Sequence, residues 1–373
     1  MGKTLTEIAQ QLGAADKKVQ LIYAFNGTGK TRLSRAFKAL IAPKAESEEA
    51  QASDLAAKRI LYYSAFTEDL FYWDNDLGLD AEPKLKIQPN AFTKWVLEEQ
   101  GQDQSITTTF QNYTSEKLTP HFSADFSTVR FSFERGNEQP EPHIKISKGE
   151  ESNFIWSVFN ALLEQLIAEL NIAEAENRST DAFNSLEYVF IDDPVSSLDE
   201  NHLIELAVNL AGLIKSSQSN LRFIVTTHSP LFYNVLFNEL NSKACYMLER
   251  FDDGSFALTE KHGDSNKSFS YHLHLKQTIE QAIADNKVER FHFTLLRNLY
   301  EKTAGFLGHP KWSELLPDDK QLYLSRIINF TSHSTLSNEA VAAPTQAEKA
   351  TVKLLLDHLK SNYGFWQQEQ QNG

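Results

Sequence analysis

Cysteine is nearly absent from this sequence, which has one copy, Cys245, in 373 residues. A single cysteine cannot form an internal disulfide, and it excludes a structural zinc cluster built on several cysteines. The sequence also lacks an apolar run of about 18 residues, the length that a membrane helix needs. The N-terminal segment instead predicts an amphipathic helix that opens with a capping box of Thr4 and Glu7. We therefore expect a cytoplasmic chain with no membrane partner and with enough length for two domains.

Positive charge is scarce, because 36 Lys and Arg residues face 50 Asp and Glu, and the formal net charge is −14. Phosphate binding needs a basic surface, so this average argues against nucleic acid. The charge is unevenly distributed, however. Residues 261–373 contain 13 Lys and Arg against 12 Asp and Glu, together with seven of the eleven histidines. This asymmetry predicts two units with different partners.

Residues 18–40 read KVQLIYAFNGTGKTRLSRAFKAL and combine three local patterns. Apolar residues at 19–22 predict a buried strand, and a glycine-rich turn follows it. The next residues predict an amphipathic helix that buries Leu33, Phe37 and Leu40 on one face. A phosphate-binding loop requires this order of strand, loop and helix.

In such a loop the backbone N–H groups surround the phosphates, and a lysine reaches the outer ones. We expect Thr31 to hold Mg²⁺ through its hydroxyl group. Ala24 replaces the first glycine of the G-x-x-x-x-G-K-[ST] pattern. We expect this change to be tolerated, since the inner glycines and the Lys-Thr pair approach the ligand most closely. The predicted nucleotide-binding residues of the loop are Asn26, Gly27, Thr28, Gly29, Lys30 and Thr31.

Two further segments place polar residues at the ends of predicted strands. The first, LEYVFIDDPVSSLDENH, ends its apolar run at Asp192 and Asp193. We expect Asp192 beside the magnesium ion and Asp193 to orient the attacking water. The second, LRFIVTTHSP, ends at His228, which is suitably placed to sense a γ-phosphate. Taken singly, a strand-end aspartate is often a cap and a lone histidine is often structural, but their order here favours a nucleotide hydrolase.

These segments resemble the ABC-type ATPases, particularly the SMC and RecF branch. The resemblance implies that Lys30 and Thr31 form the Walker A pair, Asp192 is the Walker B carboxylate, and His228 is the switch histidine. It also implies an altered signature motif, in which ISKGE replaces LSGGQ, and a D-loop; their residues are Ser147, Gly149 and Glu150, and Ser197 and Asp199. In this family the signature of one subunit closes over nucleotide bound by another, which implies a homodimer or a higher oligomer. Asp193 stands where the family has a catalytic glutamate, and its shorter side chain predicts slow hydrolysis.

The segment LLRNLYEK places Arg297 four residues before Glu301 on a predicted helix from Val288 to Phe306. That spacing is typical of a surface ion pair, which contributes little. Metal-free RNA cleavage, however, needs a base, an acid and a cation. Glu301, His333 and Arg297 supply these three groups if folding brings them together. Arg326, seven residues before His333, is a further cation, and this R-x6-H spacing resembles the helical HEPN ribonucleases.

The whole chain resembles the PrrC-type bacterial anticodon nucleases, through ordered segments that include YAFNGTGKTRLSR, VFIDDPVSSLD, GDSNKSFSYHLHLKQTIEQ, LLRNLYEK and INFTSHSTLSNE. The implied fold is an α/β ABC-type P-loop NTPase domain in residues 1–262, followed by a smaller, mostly α-helical HEPN-like nuclease domain in residues 263–373. The family cuts lysine tRNA next to the wobble base and leaves a 2′,3′-cyclic phosphate and a 5′-hydroxyl.

The same resemblance assigns residues, cofactors and partners. It makes Arg297, Glu301 and His333 catalytic, with Arg326 beside them, and it assigns tRNA recognition to Asp264, Asn266, Lys267 and Ser268. It implies Mg²⁺ with ATP or GTP at the NTPase site and no metal at the nuclease site. It also implies an anti-phage toxin that a type I DNA restriction-modification complex holds latent.

Lys267, Lys276, Lys287 and Arg290 are candidates to contact the RNA backbone, which is a small number of cations. We therefore expect weak general RNA affinity and dependence on contacts to an exposed loop. One alternative is an SMC- or RecF-like ATPase of DNA repair or restriction with a non-catalytic helical module, but long heptad arms are missing between Thr31 and Asp192. Another is a metal-dependent DNase, which would need a carboxylate-rich metal cluster near the C-terminus. The carboxylate pair there, Asp318 and Asp319, lies in a predicted exposed turn.

Overall fold

The computed structural model describes residues 2–43, 59–64, 70–74, 82–136, 141–194, 200–241, 244–251, 253–261, 271–332 and 344–364. The chain divides into two compact units, Met1–Gly263 and Asp264–Gly373. Within the described ranges, every helix is too short or too polar to cross a lipid bilayer.

The first unit contains a twisted sheet whose strands are ordered β11-β10-β1-β9-β8-β2. Neighbouring strands are parallel, except that β11 runs antiparallel to β10. Parallel strands need crossover connections, and helices supply them here. The strands of this sheet are β1 Val19–Tyr23, β2 Ile60–Tyr63, β8 Tyr188–Asp192, β9 Arg222–Thr227, β10 Cys245–Arg250 and β11 Phe256–Glu260.

Two N-terminal helices, α1 (Leu5–Ala14) and α2 (Lys30–Ile41), pack together over this sheet. The predicted capping box is confirmed, because Thr4 and Glu7 hydrogen-bond reciprocally at the start of α1. The buried face of α2 was predicted correctly at Leu33 and Phe37 but wrongly at Leu40, which is 38% exposed. Ile41 is buried instead, because the i, i+4, i+8 row of a helix faces one side.

A second, antiparallel sheet has the order β3-β4-β6-β5, with β7 paired to β6. It packs with a long helix, α5 (Lys148–Leu170), whose Phe154 ring touches the rings of Phe110, Phe122 and Phe131. The strands are β3 Phe71–Asp74, β4 Lys84–Ile87, β5 Leu118–Phe122, β6 Thr128–Phe133 and β7 Glu141–Ile144. The remaining helices of this unit are α3 Ala91–Lys94, which continues as a π-helical turn, α4 Asp103–Tyr113, α6 Glu200–Ser216 and α7 Pro230–Leu240.

In the second unit, the described residues 271–332 and 344–364 form helices joined by turns. Its helices are α8 Tyr271–Ala284, α9 Arg290–Leu307, α10 Lys320–Ser332 and α11 Gln346–Asn362, with a 3₁₀ turn at Trp312–Leu315. The helix predicted from Val288 is confirmed with a shifted start, because Glu289 is the N-cap of α9 and Val288 is buried before it. The helices enclose their own core, which includes Ile279, Leu296, Leu315, Ile327 and Leu355.

Candidate functional site

The loop between β1 and α2 has the backbone of a phosphate-binding loop. Gly27 and Gly29 have φ angles of 80° and 116°, in a region that side chains strongly disfavour. Gly29 is the N-cap of α2, and its carbonyl accepts the first helical bond from Leu33 N–H at 2.9 Å. The first N–H groups of a helix have no partner within the helix and favour an anion, so anion binding at the start of α2 stays a prediction.

Ala24 stands at the position of the first glycine of the pattern, and the structure accommodates its side chain. The residue is fully buried in the core cluster under the sheet, and its φ angle is not positive. Its N–H donates to the carbonyl of Thr227 at 3.0 Å, which continues the pairing of β1 with β9. A methyl group at this position fills the core and does not approach the loop's ligand side.

Lys30 is only 7% exposed and points into the loop that precedes it. Its Nζ atom lies 3.2 Å from the carbonyl oxygen of Ala24 and 3.2 Å from the side-chain oxygen of Asn26. It also lies 3.4 Å from Oδ2 of Asp193. The structure therefore brings together three residues that the sequence assigned to the nucleotide: Asn26, Lys30 and Asp193.

Asp192 ends β8 and is 2% exposed. Its Oδ1 atom accepts a hydrogen bond of 2.6 Å from the Thr226 hydroxyl, and Ser34 Oγ lies 3.4 Å from its Oδ2. Burial raises the pKa of Asp192, and hydrogen bonds from the Thr226 and Thr31 hydroxyls only partly offset it.

This donor set fits a magnesium ion held together with a nucleotide. Mg²⁺ is usually bound by one or two protein oxygens plus phosphate oxygens and waters, so a dedicated cage of carboxylates is not required. Thr31 supplies a hydroxyl and Asp192 a buried carboxylate whose hydrogen-bond partners are neutral hydroxyls. A divalent cation would supply the positive charge that this buried carboxylate lacks. The described residues contain no group of three or more His, Cys, Asp or Glu that could hold a metal by itself.

Asp193 follows Asp192 in the chain and contacts two other predicted residues, Lys30 and His228. It has a φ angle of 53°, in the left-handed region that aspartate adopts more often than most residues. The carboxylate lies 2.8 Å from Nδ1 of His228 and also accepts from the backbone N–H of His228 at 3.2 Å. Burial alone would raise the pKa of Asp193, but His228 and Lys30 more than offset it and hold that pKa below its usual value.

Three polar residues of this site were missed from the sequence: Ser34, Tyr62 and Thr226. The hydroxyl groups of Ser34 and Tyr62 lie 2.7 Å apart, and Ser34 and Thr226 both contact Asp192. Thr226 is opposite Asp192 in the register of β8 and β9. Its spacing before His228, at the end of an apolar strand, was the signal that could have revealed it.

We expect Gly29→Ala to damage the loop and Ala24→Gly to leave it intact. A Cβ atom at Gly29 would lie 3.2 Å from Nη2 of Arg32 and 3.3 Å from the ring of Phe256, at a φ angle unfavourable to alanine. The strain should lower the free energy of unfolding by about 1–3 kcal/mol and weaken nucleotide binding. Ala24→Gly, the matched variant, should cost about 1 kcal/mol through the lost methyl group and leave nucleotide affinity unchanged. Urea unfolding and titration with a fluorescent NTP measure both; equal affinities for the two variants would contradict the assignment of Gly29.

The predicted signature segment heads a helix, as expected. Ser147 is the N-cap of α5, and its hydroxyl accepts from the N–H of Glu150 at 3.3 Å. Glu150 returns a bond by accepting from the N–H of Ser147 at 2.7 Å. Gly149 lies in the first turn between them. This capping box explains Ser147 and Glu150 structurally, and their action on a partner subunit's nucleotide stays a prediction. Ser197 and Asp199 lie outside the described residues.

In the second unit, Arg297 and Glu301 form an ion pair on α9. The Nε atom of Arg297 lies 2.7 Å from Oε1 of Glu301, and the two side chains are 36% and 37% exposed. The guanidinium also lies over the ring of Trp312, 5.8 Å from its centre, a contact that the sequence did not reveal. A cation held by both a carboxylate and a ring has a fixed position at an accessible surface.

The other predicted residues of the second unit are described only in part. Arg326 lies within α10, and its side chain is outside the described part of the structure. His333 lies outside the described residues, and so do the predicted tRNA-recognition residues Asp264, Asn266, Lys267 and Ser268. Whether His333 meets Arg297 and Glu301 therefore stays a prediction.

The structure corrects the role expected for Lys276. Its side chain is 14% exposed and lies 3.2 Å from Glu280, which also pairs with Lys360 at 2.6 Å. A lysine so buried and paired contributes to packing of α8 and α11 and is poorly available to RNA phosphate. Asp318 and Asp319 are exposed between the 3₁₀ turn and α10, as predicted for solvated turn residues.

Comparisons with known proteins give one strong sequence match. No protein-family model matches the chain. A curated "Anticodon nuclease" from Escherichia coli is 71% identical to it over 396 aligned positions, which cover 100% of both chains. Among solved structures, an SMC head bound to the C-terminal winged-helix domain of ScpA has 11% identity and a TM-score of 0.34, with 67% of this chain and 92% of that chain covered. The SMC head domain from Thermotoga maritima has 14% identity and a TM-score of 0.31 at the same coverage. TM-scores this low support no conclusion about fold.

Proposed function

This chain belongs to the anticodon nuclease family and is an endoribonuclease, and from this we propose that it cuts lysine tRNA beside the wobble base under the control of a bound NTP. The identity of 71% over the whole length is the observation that carries the proposal. It also argues against the alternative of a DNA-repair ATPase without nuclease activity.

The nuclease chemistry is proposed for the surface around Arg297 and Glu301. In metal-free cleavage the 2′-oxygen attacks the adjacent phosphorus, and the bond to the 5′-oxygen breaks. One group takes the 2′-hydroxyl proton, another protonates the leaving oxygen, and a cation stabilises the charge on phosphorus. Glu301 and His333 are proposed as the proton-transfer pair, Arg297 as the cation, and Arg326 as a further cation nearby.

The first unit is proposed to bind and hydrolyse ATP or GTP with Mg²⁺. Support comes from the loop at Gly27 and Gly29, from Lys30 inside it, and from Asp192 and Asp193 at the end of the adjacent strand. When bound, Mg²⁺ would neutralise charge on the outer phosphates while Thr31 and Asp192 hold it. The side chains of Asp193 and His228 lie 2.8 Å apart. They are proposed to orient a water molecule and to respond to the outer phosphate.

Three further parts of the proposal rest on the family resemblance. The active form is a homodimer or higher oligomer, in which the segment from Ser147 to Glu150 of one subunit faces nucleotide on another. A type I DNA restriction-modification complex holds the enzyme latent in the cytoplasm. Asp264, with Asn266, Lys267 and Ser268, reads the anticodon loop, whose unpaired bases expose their edges.

The chemistry of the cut ends tests metal independence. We expect the full-length protein, activated with NTP and Mg²⁺ and then treated with EDTA, to continue cutting total tRNA. The fragments should carry 2′,3′-cyclic phosphate and 5′-hydroxyl ends, detected by whether a 3′-phosphatase is needed before ligation. Fragments with 3′-hydroxyl and 5′-phosphate ends would instead indicate metal-bound water as the nucleophile and would reject the proposed roles.

A further inference from the structure

The C-terminal end of α9 exposes an aromatic ring almost completely. Phe306 has 89% of its surface in solvent, and the adjoining Leu307 has 46%. On the same helix Phe293 is 1% exposed, as expected for a core residue. Phe306 and Leu307 adjoin each other and form an exposed apolar patch, and patches of this kind that are bordered by polar residues are used for binding.

Two lysines flank this ring. Lys302 lies one turn before Phe306, at the i, i+4 spacing that places side chains on the same helix face, and Lys311 follows the end of the helix. Both lysines are exposed. In the part of the chain that the structure describes, neither joins an ion pair, in contrast to Arg297 and its partner Glu301. Their charges are therefore available to an anionic ligand.

The backbone that carries the ring is well fixed. Gly308 ends α9 with a φ angle of 78°, and His309 N–H donates back to the carbonyl of Ala304 at 2.9 Å. The Nδ1 atom of His309 also lies 3.2 Å from Glu314, which ties the chain after the helix to the 3₁₀ turn. A preorganised surface loses little conformational entropy on binding.

We propose that Phe306, Lys302, Leu307 and Lys311, here called the α9 tip, bind a single-stranded loop of the RNA substrate, with one unpaired base stacked on Phe306. Proteins that bind single strands combine aromatic rings for bases with cations for the backbone. A protein partner would instead favour a broader apolar patch depleted of lysine. This inference deepens the proposed function and rests on it, because the substrate is taken to be a tRNA anticodon loop.

The α9 tip positions the RNA and is not itself catalytic. Phe306 lies five positions after Glu301, which corresponds to a rise of about 7.5 Å along the helix and a rotation of about 140° around it. The ring therefore faces a different side from the Arg297–Glu301 pair. Loss of the Phe306 ring should raise KM for tRNA and leave kcat nearly unchanged, because the stacked base contributes equally to substrate and transition-state binding.

Binding of an uncleavable anticodon stem-loop tests the α9 tip. The RNA carries a 2′-deoxy sugar at the cut site, and the full-length protein is used throughout. We expect Phe306→Ala to weaken binding by about 5- to 150-fold, the range known for loss of one base stack. Phe306→Trp should retain the affinity, since it preserves a stacking face. Phe291→Ala is the matched control and should leave the RNA affinity unchanged. Phe291 is also an exposed ring, 51% in solvent, but it lies at the other end of α9.

Two further measurements make the outcome decisive. Lys302→Ala should reduce the slope of log affinity against log salt by about 0.7, as expected for one lost phosphate contact to a single strand. Ultraviolet crosslinking should join the RNA to the peptide that contains residue 306. Unchanged RNA affinity and KM in Phe306→Ala would overturn the inference, and so would unchanged affinity with an altered oligomer mass, which would indicate a protein contact. If the wild type binds the stem-loop through Phe306 but cuts no tRNA, the proposed function fails and the α9 tip stands.

Discussion

Arg297→Ala is expected to lower the rate of tRNA cleavage by about 10²–10³-fold, the usual loss when one group that stabilises transition-state charge is removed. Glu301→Gln and His333→Ala should each cost about 10²–10⁴-fold, because each is proposed to move a proton. The effect should appear in kcat, since these groups act on charge and protons that shift only in the transition state. Single-turnover cleavage of tRNA by NTP-activated protein measures it.

The control for these variants is Glu280→Gln. Glu280 forms ion pairs with Lys276 and Lys360 in the same helical unit and has no proposed role in cleavage. It should cut at the wild-type rate even if it unfolds at lower urea. All three nuclease variants should hydrolyse NTP normally, because Lys30, Asp192 and His228 are unchanged. A His333→Ala protein that still cuts within threefold of wild type would remove His333 from the site.

Lys30→Ala is expected to abolish NTP-dependent activation of the nuclease. The ammonium group is proposed to bind the outer phosphates, and loss of charged hydrogen bonds typically weakens binding by about 10- to 150-fold. Nucleotide affinity is measured by equilibrium titration, and activation by cleavage of tRNA over a series of NTP concentrations. At NTP concentrations near the wild-type dissociation constant, the variant should therefore bind little NTP and remain inactive.

Lys18→Ala separates this effect from a loss of folding. Lys18 stands at the opposite end of β1, where its ammonium group donates to the carbonyl of Ser217. Both variants remove a lysine that contacts backbone at an end of the same strand, but only Lys30 lies in the phosphate loop. Normal activation in Lys30→Ala, with Lys18→Ala as a folded reference, would show that NTP acts elsewhere.

The geometry of the proposed nucleotide site could be predicted from sequence where its signals are local. The glycine loop, the start of α2 and the strand-end aspartates depend on residues adjacent in the chain, and the structure has them as predicted. Thr226 and Tyr62 were missed because strand register and helix packing, which act between distant segments, bring them to Asp192 and Ser34. No local pattern specifies which strands become neighbours in a parallel sheet.

The second unit shows the same division. The spacing of Arg297 and Glu301 predicted their pair, and the structure has it at 2.7 Å. Trp312 beneath Arg297 is brought there by the turn after α9, which the helical pattern does not specify. Lys276 was expected to contact RNA because it is charged. Instead it pairs with Glu280, which also pairs with Lys360 of α11. Charge in a sequence indicates a solvated group only if no buried partner is available.

Asp193 contacts both Lys30 and His228, so a phosphate that bound Lys30 as proposed would have to share the lysine with this carboxylate or replace it. On the proposed function, an outer phosphate that replaced this carboxylate would gain less from Lys30 than from an unpaired lysine, because one anionic neighbour is exchanged for another. Because Asp193 also contacts His228, displacement of its carboxylate by the proposed nucleotide would couple nucleotide binding to the position of that imidazole. Such an exchange would favour a nucleotide that binds and dissociates readily, as reversible regulation of the proposed nuclease requires.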